Sequence, residues 1–544
     1  MASRLYAAST LLALWLGLGC SKQDTPSASK PSAAPGERET ASSAQAAGAQ
    51  PAAAPEAERS KTPPLVDLAG RSHPLSLAVV DPGRPRIASR ALRTWVHERP
   101  SLGAPKLGYL RAGASSPTSA EPAGFDGCKG GWYPVEPRGY VCAGARATLD
   151  LEDPVVRATR ELQPDPLRKL PYIYGTVRRP GPTYAKLPSR AELERVEPGI
   201  DERMQQWLGA EGEVGASYAQ DVWLGGRGAP PDPAEAWKTE RSDPLPWFLE
   251  NGGSTPNLYR KARPEGLVID EMRAKVGYSF LETFLWQGRR YGLSTDLRLL
   301  PTDRLRPIQG SEFHGWQIPE EIDFPFVIVR RDGAHAWLYD AAKNRLIDAG
   351  TAPYRAAFKL TGKQKFFRSV LHYETVEGKW LSDRDASRLD PPRRMPAWGK
   401  NGEKWMDINI TKQTLVLYEG ERAVYATLVS TGEAGLDDPK RSTATKRGIF
   451  RIHTKHLATT MSSNETGEEF ELRDVPYVQY FDQEGYALHG AYWHDRFGVP
   501  KSHGCINLAP EDARRVFFWT EPSLPTGWHG VLLPLKGTVM FVHP

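Results

Sequence analysis

Glycine and proline divide almost the whole of this chain into short segments. The sequence contains 50 glycines and 47 prolines among its 544 residues, together with 16 tryptophans. Proline removes a backbone donor and glycine adds conformational freedom, so neither suits the interior of a long helix. The pattern therefore predicts a mainly β protein built from short strands and turns. The length predicts several domains, about three, rather than a single core.

The charge balance argues against one class of partner. The formal net charge is +5 at pH 7, and no dense basic stripe interrupts the sequence. We therefore expect no nucleic-acid partner. Neither a phosphate-binding loop nor a common metal-ligand spacing is present, so we expect no cofactor and no metal. A mild positive balance would suit an acidic polymer such as the cell wall.

The first 20 residues are typical of a secretory signal. Arg4 is followed by an apolar run, Leu5 to Leu18, which is too short to span a bilayer. The segment from Leu16 to Ser21 resembles the lipobox of bacterial lipoproteins, although Gly17 stands where that family usually has leucine. The resemblance implies a lipid anchor at Cys20 and attachment to the periplasmic face of the outer membrane. The alternative is ordinary cleaved secretion with an incidental cysteine.

The next segment, residues 21–62, predicts a disordered tether. It consists of Ser, Ala, Pro, Gly and charged residues, and it contains no aromatic residue. Such a composition cannot bury enough apolar surface to offset the entropy of folding. We expect it to lift the following domains from a membrane towards the wall.

Residues 75–150 predict an all-β module. Short apolar runs such as Trp95–Pro100, Leu107–Gly113 and Gly131–Val135 are separated by Gly and Pro turns. This order resembles bacterial SH3 domains and implies an SH3-like β-barrel. Such modules bind wall peptides or an envelope protein partner. The alternative is a structural spacer.

Two cysteines lie within this module. Cys128 and Cys142 are 14 positions apart, on either side of the Trp132 run. Because a secreted protein meets an oxidising compartment, we expect them to form a disulfide. The alternative is a pair of buried free thiols.

Residues 151–400 predict a mixed α/β region whose role the sequence does not identify. Ser189 and Glu192 have the spacing of a helix capping box, directly after Pro188. The stretch from Val268 to Gln287 is compatible with helix or strand. Phe324–Val329 and Ala336–Tyr339 predict strands, with a turn at residues 331–333 between them.

Residues 403–543 predict a β-rich domain with one clear helix. The runs Leu415–Tyr418 and Ala423–Val429 flank a Glu-Gly-Glu turn and predict a hairpin. A helix is expected near Pro510, because Glu511 and Asp512 follow in the first turn, where the helix dipole favours acidic residues.

The candidate chemistry of this domain centres on Cys505. His503 and His489 precede it in the sequence. A cysteine attacks as its thiolate, and a nearby imidazole accepts the thiol proton. Gly504 would let a substrate approach backbone N–H groups that stabilise an oxyanion. With Cys20 lipidated and the other two cysteines paired, Cys505 is the one left over.

Two other interpretations of these residues stay open. In one, Cys505 is an inert buried thiol. In the other, four residues form a structural zinc site, although their spacings of 5, 9 and 2 match no common zinc pattern. These four are His489, His494, His503 and Cys505.

Residues 403–543 resemble the YkuD-type L,D-transpeptidase catalytic domain. That family carries His-Gly, a gap, and then Ser/Thr-His-Gly-Cys-apolar-Asn; here these are His489-Gly490 and the segment from Ser502 to Asn507. The resemblance implies a β-sandwich with a helix after the cysteine. It also implies Cys505 as nucleophile, His489 as general base and the Gly490 carbonyl as the third member.

The same resemblance assigns the remaining residues of the motif. His503, Ser502 and Asn507 would shape the site, and the Gly504 and Cys505 N–H groups would bind the oxyanion. Arg496 would meet a substrate carboxylate, and residues 455–471 would form a lid. Lys446 stands where the family has proline.

The implied reaction is acyl transfer between peptidoglycan stem peptides. Cys505 would form a thioester and pass it to an amine of another stem, which gives a 3→3 crosslink. With water as acceptor the protein would be a carboxypeptidase or endopeptidase, and with a protein amine it would be a wall-attachment enzyme. From a different class, a non-catalytic wall-binding scaffold remains as an alternative.

Overall fold

The computed structural model describes residues 83–209, 237, 244–258, 266–463, 470–533 and 536–544. The predicted signal peptide, the tether and Cys20 lie outside these residues. The described part is mainly β, as predicted, with 32 strands and five α-helices. In these residues we find no helix with the length and hydropathy that crossing a membrane requires.

Residues 86–148 form an all-β unit, here called the N-terminal module. Its core includes Ile87, Val96 and Val141, and Cys128 is joined to Cys142 by a disulfide with a Cα–Cα distance of 5.8 Å. The strands are β1 (Arg86–Ser89), β2 (Thr94–His97), β3 (Lys106–Leu110), β4 (Ser115–Pro117), β5 (Trp132–Pro134), β6 (Tyr140–Cys142) and β7 (Ala147–Thr148). They are arranged as β4-β1-β7 and β3-β2-β6-β5. The SH3-like assignment stays a prediction.

Residues 154–308 form the middle unit. The predicted capping box is confirmed at the start of the second helix. The Ser189 side chain accepts a hydrogen bond from the Glu192 backbone N–H, and the Glu192 side chain accepts one from the Ser189 backbone N–H. The ambiguous stretch after Val268 is two strands. The elements are α1 (Pro154–Thr159), β8 (Ile173–Val177), β9 (Gly181–Tyr184), α2 (Arg190–Val196), α3 (Ile200–Gly209), β10 (Val268–Met272), β11 (Val276–Trp286), β12 (Arg289–Ser294), β13 (Leu299–Pro301) and β14 (Leu305–Ile308), with 3-10 turns at Trp247–Gly252 and Thr302–Arg304.

Residues 326–389 form a separate seven-stranded unit, here called the β unit. The predicted strands around residues 326 and 336 are confirmed, and Gly333 turns the chain between them with φ +69°. Its strands are β16 (Phe326–Val329), β17 (His335–Asp340), β18 (Arg345–Thr351), β19 (Ala357–Phe367), β20 (Val370–Thr375), β21 (Trp380–Ser382) and β22 (Ala386–Leu389), preceded by β15 (Trp316–Gln317). The mixed region predicted at 151–400 therefore contains two units of different secondary structure: the middle unit has helices and strands, and the β unit has strands alone.

Residues 404–543 form the C-terminal unit. The predicted hairpin and the predicted helix near Pro510 are confirmed. After α4 (Ala397–Lys400), the elements are β23 (Lys404–Asn409), β24 (Thr414–Glu419), β25 (Arg422–Leu428), β26 (Gly448–Arg451), β27 (Thr454–Ser463), β28 (Phe470–Tyr480), β29 (Ala487–Gly490), β30 (Ile506–Leu508), α5 (Pro510–Trp519), β31 (Gly530–Leu532) and β32 (Val539–His543).

One sheet of the C-terminal unit is buried on both faces. Its strand order is β15-β25-β24-β23-β32-β26. Along β24, Leu415 and Leu417 pack into the core that includes α5, whereas Val416 and Tyr418 pack into a core shared with the β unit. Burial on both faces explains why this strand is a continuous apolar run rather than an alternating one. The β unit is therefore packed directly on the C-terminal unit.

A second, 16-stranded sheet joins the other units. β3 of the N-terminal module pairs with β31, and β11 of the middle unit pairs with β28. The strands β27 and β28, which cover most of the predicted lid, are internal strands of this sheet. Lys455, the first residue of that predicted lid, is fully buried and donates to the carbonyls of Phe517 and Thr520. For its described residues, the lid prediction is therefore wrong.

Candidate active site

Two short parallel strands bring the predicted nucleophile and base to the same end of a sheet. In the β29–β30 ladder, His489 lies opposite Asn507, and Leu488 lies opposite Ile506. Leu488 and Ile506 point into the core that includes α5. Because side chains alternate along a strand, His489 and Asn507 face the other side, and Cys505 directly precedes β30.

His489 is buried, with 3% of its surface exposed. Its Nδ1 lies 3.5 Å from the carbonyl oxygen of Gly490. With Nδ1–H directed at that carbonyl, Nε2 is the nitrogen that accepts a proton. The ring of Trp493 lies 5.5 Å from the imidazole, centroid to centroid. No sequence pattern predicted this contact with Trp493.

Cys505 is not part of a disulfide; it lies directly before β30, and its thiol is partly buried. Its Sγ lies 4.0 Å from the carbonyl oxygen of Gly485, in the loop between β28 and β29. Gly485 was not among the predicted site residues. Cys505 also packs against a cluster that contains Tyr174 and Ile308 of the middle unit. The middle unit therefore forms one wall beside the thiol.

The residues before Cys505 form a tight turn. Gly504 has φ +122°, a conformation that favours glycine. Ser502 Oγ donates to the Cys505 carbonyl and accepts the Gly504 N–H at 3.2 Å. Thr445 Oγ1 donates to the Gly504 carbonyl at 2.8 Å. The Gly504 N–H thus has a partner in Ser502 Oγ, and its role towards an oxyanion stays a prediction.

Lys446 connects this turn to the loop that carries Gly485. Its Nζ lies 3.0 Å from a carboxylate oxygen of Asp482 and 2.9 Å from one of Glu484. These carboxylates raise the pKa of Lys446 above its ordinary value, although burial opposes them. Lys446 thus supplies a charged connection where the resembling family has a rigid proline.

The other predicted residues differ in their surroundings. Asn507 is buried, and its amide lies 2.8 Å from Nε2 of His494. Burial lowers the pKa of His494 to about 3, so the ring is neutral at ordinary pH. The Arg496 side chain is exposed and His503 is partly buried. The structure thus brings Cys505, His489, Gly490, Ser502, Gly504 and Asn507 together.

This arrangement suits nucleophilic acyl transfer. A thiol, an imidazole and a backbone carbonyl that orients the imidazole are the parts that a cysteine acyltransferase needs. Across the described ranges, no group of three or more His, Cys, Asp or Glu side chains lies close enough to hold a metal ion. The four residues of the zinc interpretation therefore do not form such a group.

Comparison with known proteins places the C-terminal unit in a family. Residues 403–539 match the YkuD family model, described as an L,D-transpeptidase catalytic domain. The Bacillus subtilis protein named "Putative L,D-transpeptidase YciB" is 28% identical over 129 residues, which cover 22% of this chain and 61% of that relative. The chain thus spans less than two thirds of this relative's length.

Several solved L,D-transpeptidase structures are also similar. The one from Xylanimonas cellulosilytica is 24% identical, with coverage of 28% of this chain and 64% of that chain and a TM-score of 0.19. The one from Stackebrandtia nassauensis is 26% identical, with coverage of 26% and 55% and a TM-score of 0.18. The one from Enterococcus faecium is 21% identical, with coverage of 26% and 49% and a TM-score of 0.20. The family match confirms the predicted L,D-transpeptidase catalytic domain at the C-terminus.

Proposed function

We propose that this protein is a peptidoglycan L,D-transpeptidase that forms 3→3 crosslinks through a thioester on Cys505. The observation that carries the proposal is the β29–β30 pairing, which sets His489 opposite Asn507 and brings Cys505, the residue directly before β30, to the same end of the sheet. The Gly490 carbonyl beside His489 Nδ1 supports the assignment of the imidazole as general base. The match of residues 403–539 to the L,D-transpeptidase domain supports the substrate class.

The first half of the reaction forms the acyl-enzyme. His489 Nε2 takes the proton from the Cys505 thiol, and the sulfur attacks the carbonyl carbon of the third stem residue, often diaminopimelate. The tetrahedral intermediate collapses with cleavage of the C–N bond to the terminal D-Ala. The imidazolium returns its proton to that leaving amine. The product is a thioester on Cys505 and free D-Ala.

The second half transfers the acyl group. A side-chain amine from another stem attacks the thioester carbonyl, and His489 accepts a proton from this amine. The C–S bond breaks, and the thiolate recovers its proton from the imidazolium. The new amide joins the third residues of two stems. Water in place of the amine would give a carboxypeptidase, and the amine of an envelope protein would give an attachment enzyme.

Incubation of the full chain with disaccharide-tetrapeptide, followed by mass spectrometry, tests the proposal. We expect a 3→3 dimer that is lost in Cys505→Ala and His489→Ala. His335→Ala is a matched control, because His335 is an exposed histidine of the β unit. Tripeptide with free D-Ala and no dimer would indicate a carboxypeptidase. Full biological effect of Cys505→Ala in cells would support the scaffold alternative.

Carbapenem acylation gives a second test that requires no wall substrate. The Cys505 thiolate is expected to open the β-lactam ring and retain the whole drug, because ring opening expels no leaving group. Intact-mass spectrometry of the reduced, folded chain should show one adduct, absent from Cys505→Ala. An unmodified wild-type chain would count against an activated thiol at this position.

We further propose that the chain is lipid-anchored through Cys20 at the periplasmic face of the outer membrane, and that the N-terminal module binds wall peptides or an envelope partner. Both proposals rest on sequence resemblance. Metabolic labelling with a fatty acid and membrane fractionation, compared with Cys20→Ala, test the anchor. Cosedimentation with purified peptidoglycan tests binding to the wall. A soluble, unlabelled wild-type protein would overturn the anchor.

A further inference from the structure

The loop of residues 491–498 leaves β29 directly after Gly490 and reaches back to the nucleophile strand. His494 Nδ1 accepts the backbone N–H of Arg496 at 3.1 Å. The proton of the neutral ring is then on Nε2. It can donate to Asn507 only with the amide turned so that Oδ1, a buried oxygen otherwise without a partner, takes the position 2.8 Å from Nε2. His494 is 7% exposed, so water does not compete strongly for this contact. The 491–498 loop is therefore bonded to β30 through one buried histidine.

Asn507 connects His494 to the catalytic pair. It lies opposite His489 in the parallel ladder and two positions after Cys505. Its backbone N–H donates to the Ser430 carbonyl at 2.8 Å, and its carbonyl accepts the Ser430 N–H at 2.9 Å. Ser430 Oγ in turn donates to the carbonyl of Arg496. A shift of the 491–498 loop would therefore displace β30 on two sides.

Arg355, between β18 and β19 of the β unit, holds this loop from outside the C-terminal unit. Its Nη2 donates to the Asp495 carbonyl at 2.7 Å and also to the Asp495 carboxylate. Ser311 Oγ donates to the same carboxylate. The side chains of Arg355 and Asp495 are only 13% and 18% exposed. A pair that is largely withdrawn from solvent in this way is screened less than a surface pair.

The geometry of Arg355 is itself constrained. Its guanidinium lies over the ring of Phe313 at 4.8 Å and near that of Phe497 at 5.9 Å. Its φ of +65° lies in the left-handed region, which a residue with a side chain rarely adopts. At the end of the loop, a Cβ on Gly498 would lie 2.7 Å from the Cβ of Arg330. The β unit therefore contacts the loop at two points.

We propose that Arg355 is a positioning residue for the catalytic pair. It fixes the 491–498 loop through Asp495, and this loop fixes Asn507 opposite His489. The β unit, to which the sequence assigned no role, thereby supports the active centre. The proposal deepens the proposed function and rests on it for the reaction. The geometry itself bears directly on the reactivity of Cys505, which is measurable without a wall substrate.

The test compares three variants of the full chain: Arg355→Ala, Arg355→Lys and the control Arg345→Ala. Arg345 is also an arginine of the β unit and pairs with Asp340, but its side chain is 58% exposed. For each variant, kcat and KM for crosslinking, the thermal midpoint and the rate of Cys505 alkylation by iodoacetamide across pH are measured. Peptide mass spectrometry locates the alkylated cysteine.

We expect Arg355→Ala to lower kcat by about 10²-fold with little change in KM, because the reacting groups lose their alignment. Alkylation of Cys505 at neutral pH should slow, with the midpoint of its pH profile moved upward. Arg355→Lys should recover part of kcat and part of the alkylation rate, because lysine retains the charge but cannot make the two-point contact. Arg345→Ala should match the wild type.

An Arg355→Ala protein with wild-type kcat and a wild-type alkylation profile would overturn the proposal, whatever its thermal midpoint. If Arg355→Ala does not fold, Asp495→Asn provides the same comparison, because it weakens the ion pair and keeps the side-chain shape. Alkylation requires no peptidoglycan. A wild-type protein without crosslinking activity would therefore overturn the proposed function and leave this test intact.

Discussion

Arg111 and Asp474 form a two-point ion pair between the N-terminal module and β28. Nη1 lies 2.5 Å from Oδ1 and Nη2 lies 2.9 Å from Oδ2, and the side chains are 11% and 5% exposed. Ser279 and Thr295 of the middle unit donate to the same carboxylate. Arg111 holds the pKa of this carboxyl well below its ordinary value, against the opposing effect of burial. One carboxylate therefore connects three units.

Asp474→Ala should destabilise the protein by about 3–5 kcal/mol, because it leaves the Arg111 charge buried without its partner. The free energy of unfolding in urea measures the effect. Glu136→Ala is the control, since it removes the exposed Arg84–Glu136 pair, and it should cost about 1 kcal/mol or less. Equal stabilities of the two variants would show that Asp474 does not connect the units energetically.

Lys446→Met should slow acylation of Cys505 by about tenfold, equivalent to ~1.4 kcal/mol. The change removes the ion pairs with Asp482 and Glu484, which hold the loop whose Gly485 carbonyl lies beside the thiol. The rate of carbapenem adduct formation is the measurement. Lys363→Met, which removes an exposed lysine of the β unit that pairs with Glu374, should leave that rate unchanged. Equal rates for both variants would count against the role of Lys446.

The stability of the protein should fall as the pH drops below about 6.5. Burial lowers the pKa of His456 to about 3 and that of His529 well below its ordinary value. The unfolded chain takes up these protons near pH 6.5, whereas the native state remains unprotonated until far lower pH. Each histidine therefore contributes a slope of ~1.4 kcal/mol per pH unit in this window.

His456→Gln tests this pH dependence. The slope of the unfolding free energy against pH, below about pH 6.5, should decrease by the contribution of one histidine. His335→Gln, which changes an exposed histidine, should leave the slope as it is. An unchanged slope in His456→Gln would mean that this histidine is already protonated in the native state.

Gly108→Ala should disturb the contact between β3 and β31. A Cβ at this position would lie 2.2 Å from the Gly530 carbonyl oxygen and 2.5 Å from the Trp528 ring. We expect a loss of about 1–3 kcal/mol in the free energy of unfolding, as in other overpacked sites. Gly124→Ala is the matched control, because no atom lies within 4 Å of its added Cβ. Equal stability of the two would contradict the close approach of β3 to β31.

The sequence was most informative where chemistry and fold are local. The motif from Ser502 to Asn507 identified the domain, and the runs around Leu415 and Val424 predicted the hairpin. The capping box at Ser189 predicted a helix start that the structure confirms. Each of these signals lies within a few residues, so it does not depend on which other segment of the chain packs nearby.

Contacts between distant segments could not be predicted in this way. Arg355 and Asp495 are 140 positions apart, and Arg111 and Asp474 are 363 apart. Periodicity indicates which face of an element is buried, but it does not identify the partner. The stretch after Val268 was ambiguous for the same reason, because pairing with β9 makes its first part a strand and pairing with β8, β12 and β28 makes its second part a strand. The predicted lid failed because those strands lie inside a larger sheet.

The pairing of β3 with β31 also limits how the molecule can present its substrate. β3 pairs with β31 at two positions, and the sheet continues through β27 and β28 to β29 and β30 beside Cys505, so the position of the N-terminal module is linked to that of the thiol. A ligand held by that module would therefore reach the thiol at a defined distance and angle. The position at which the thiol reacts along a repetitive polymer would then be set by where the module binds that polymer, with no additional recognition at the thiol.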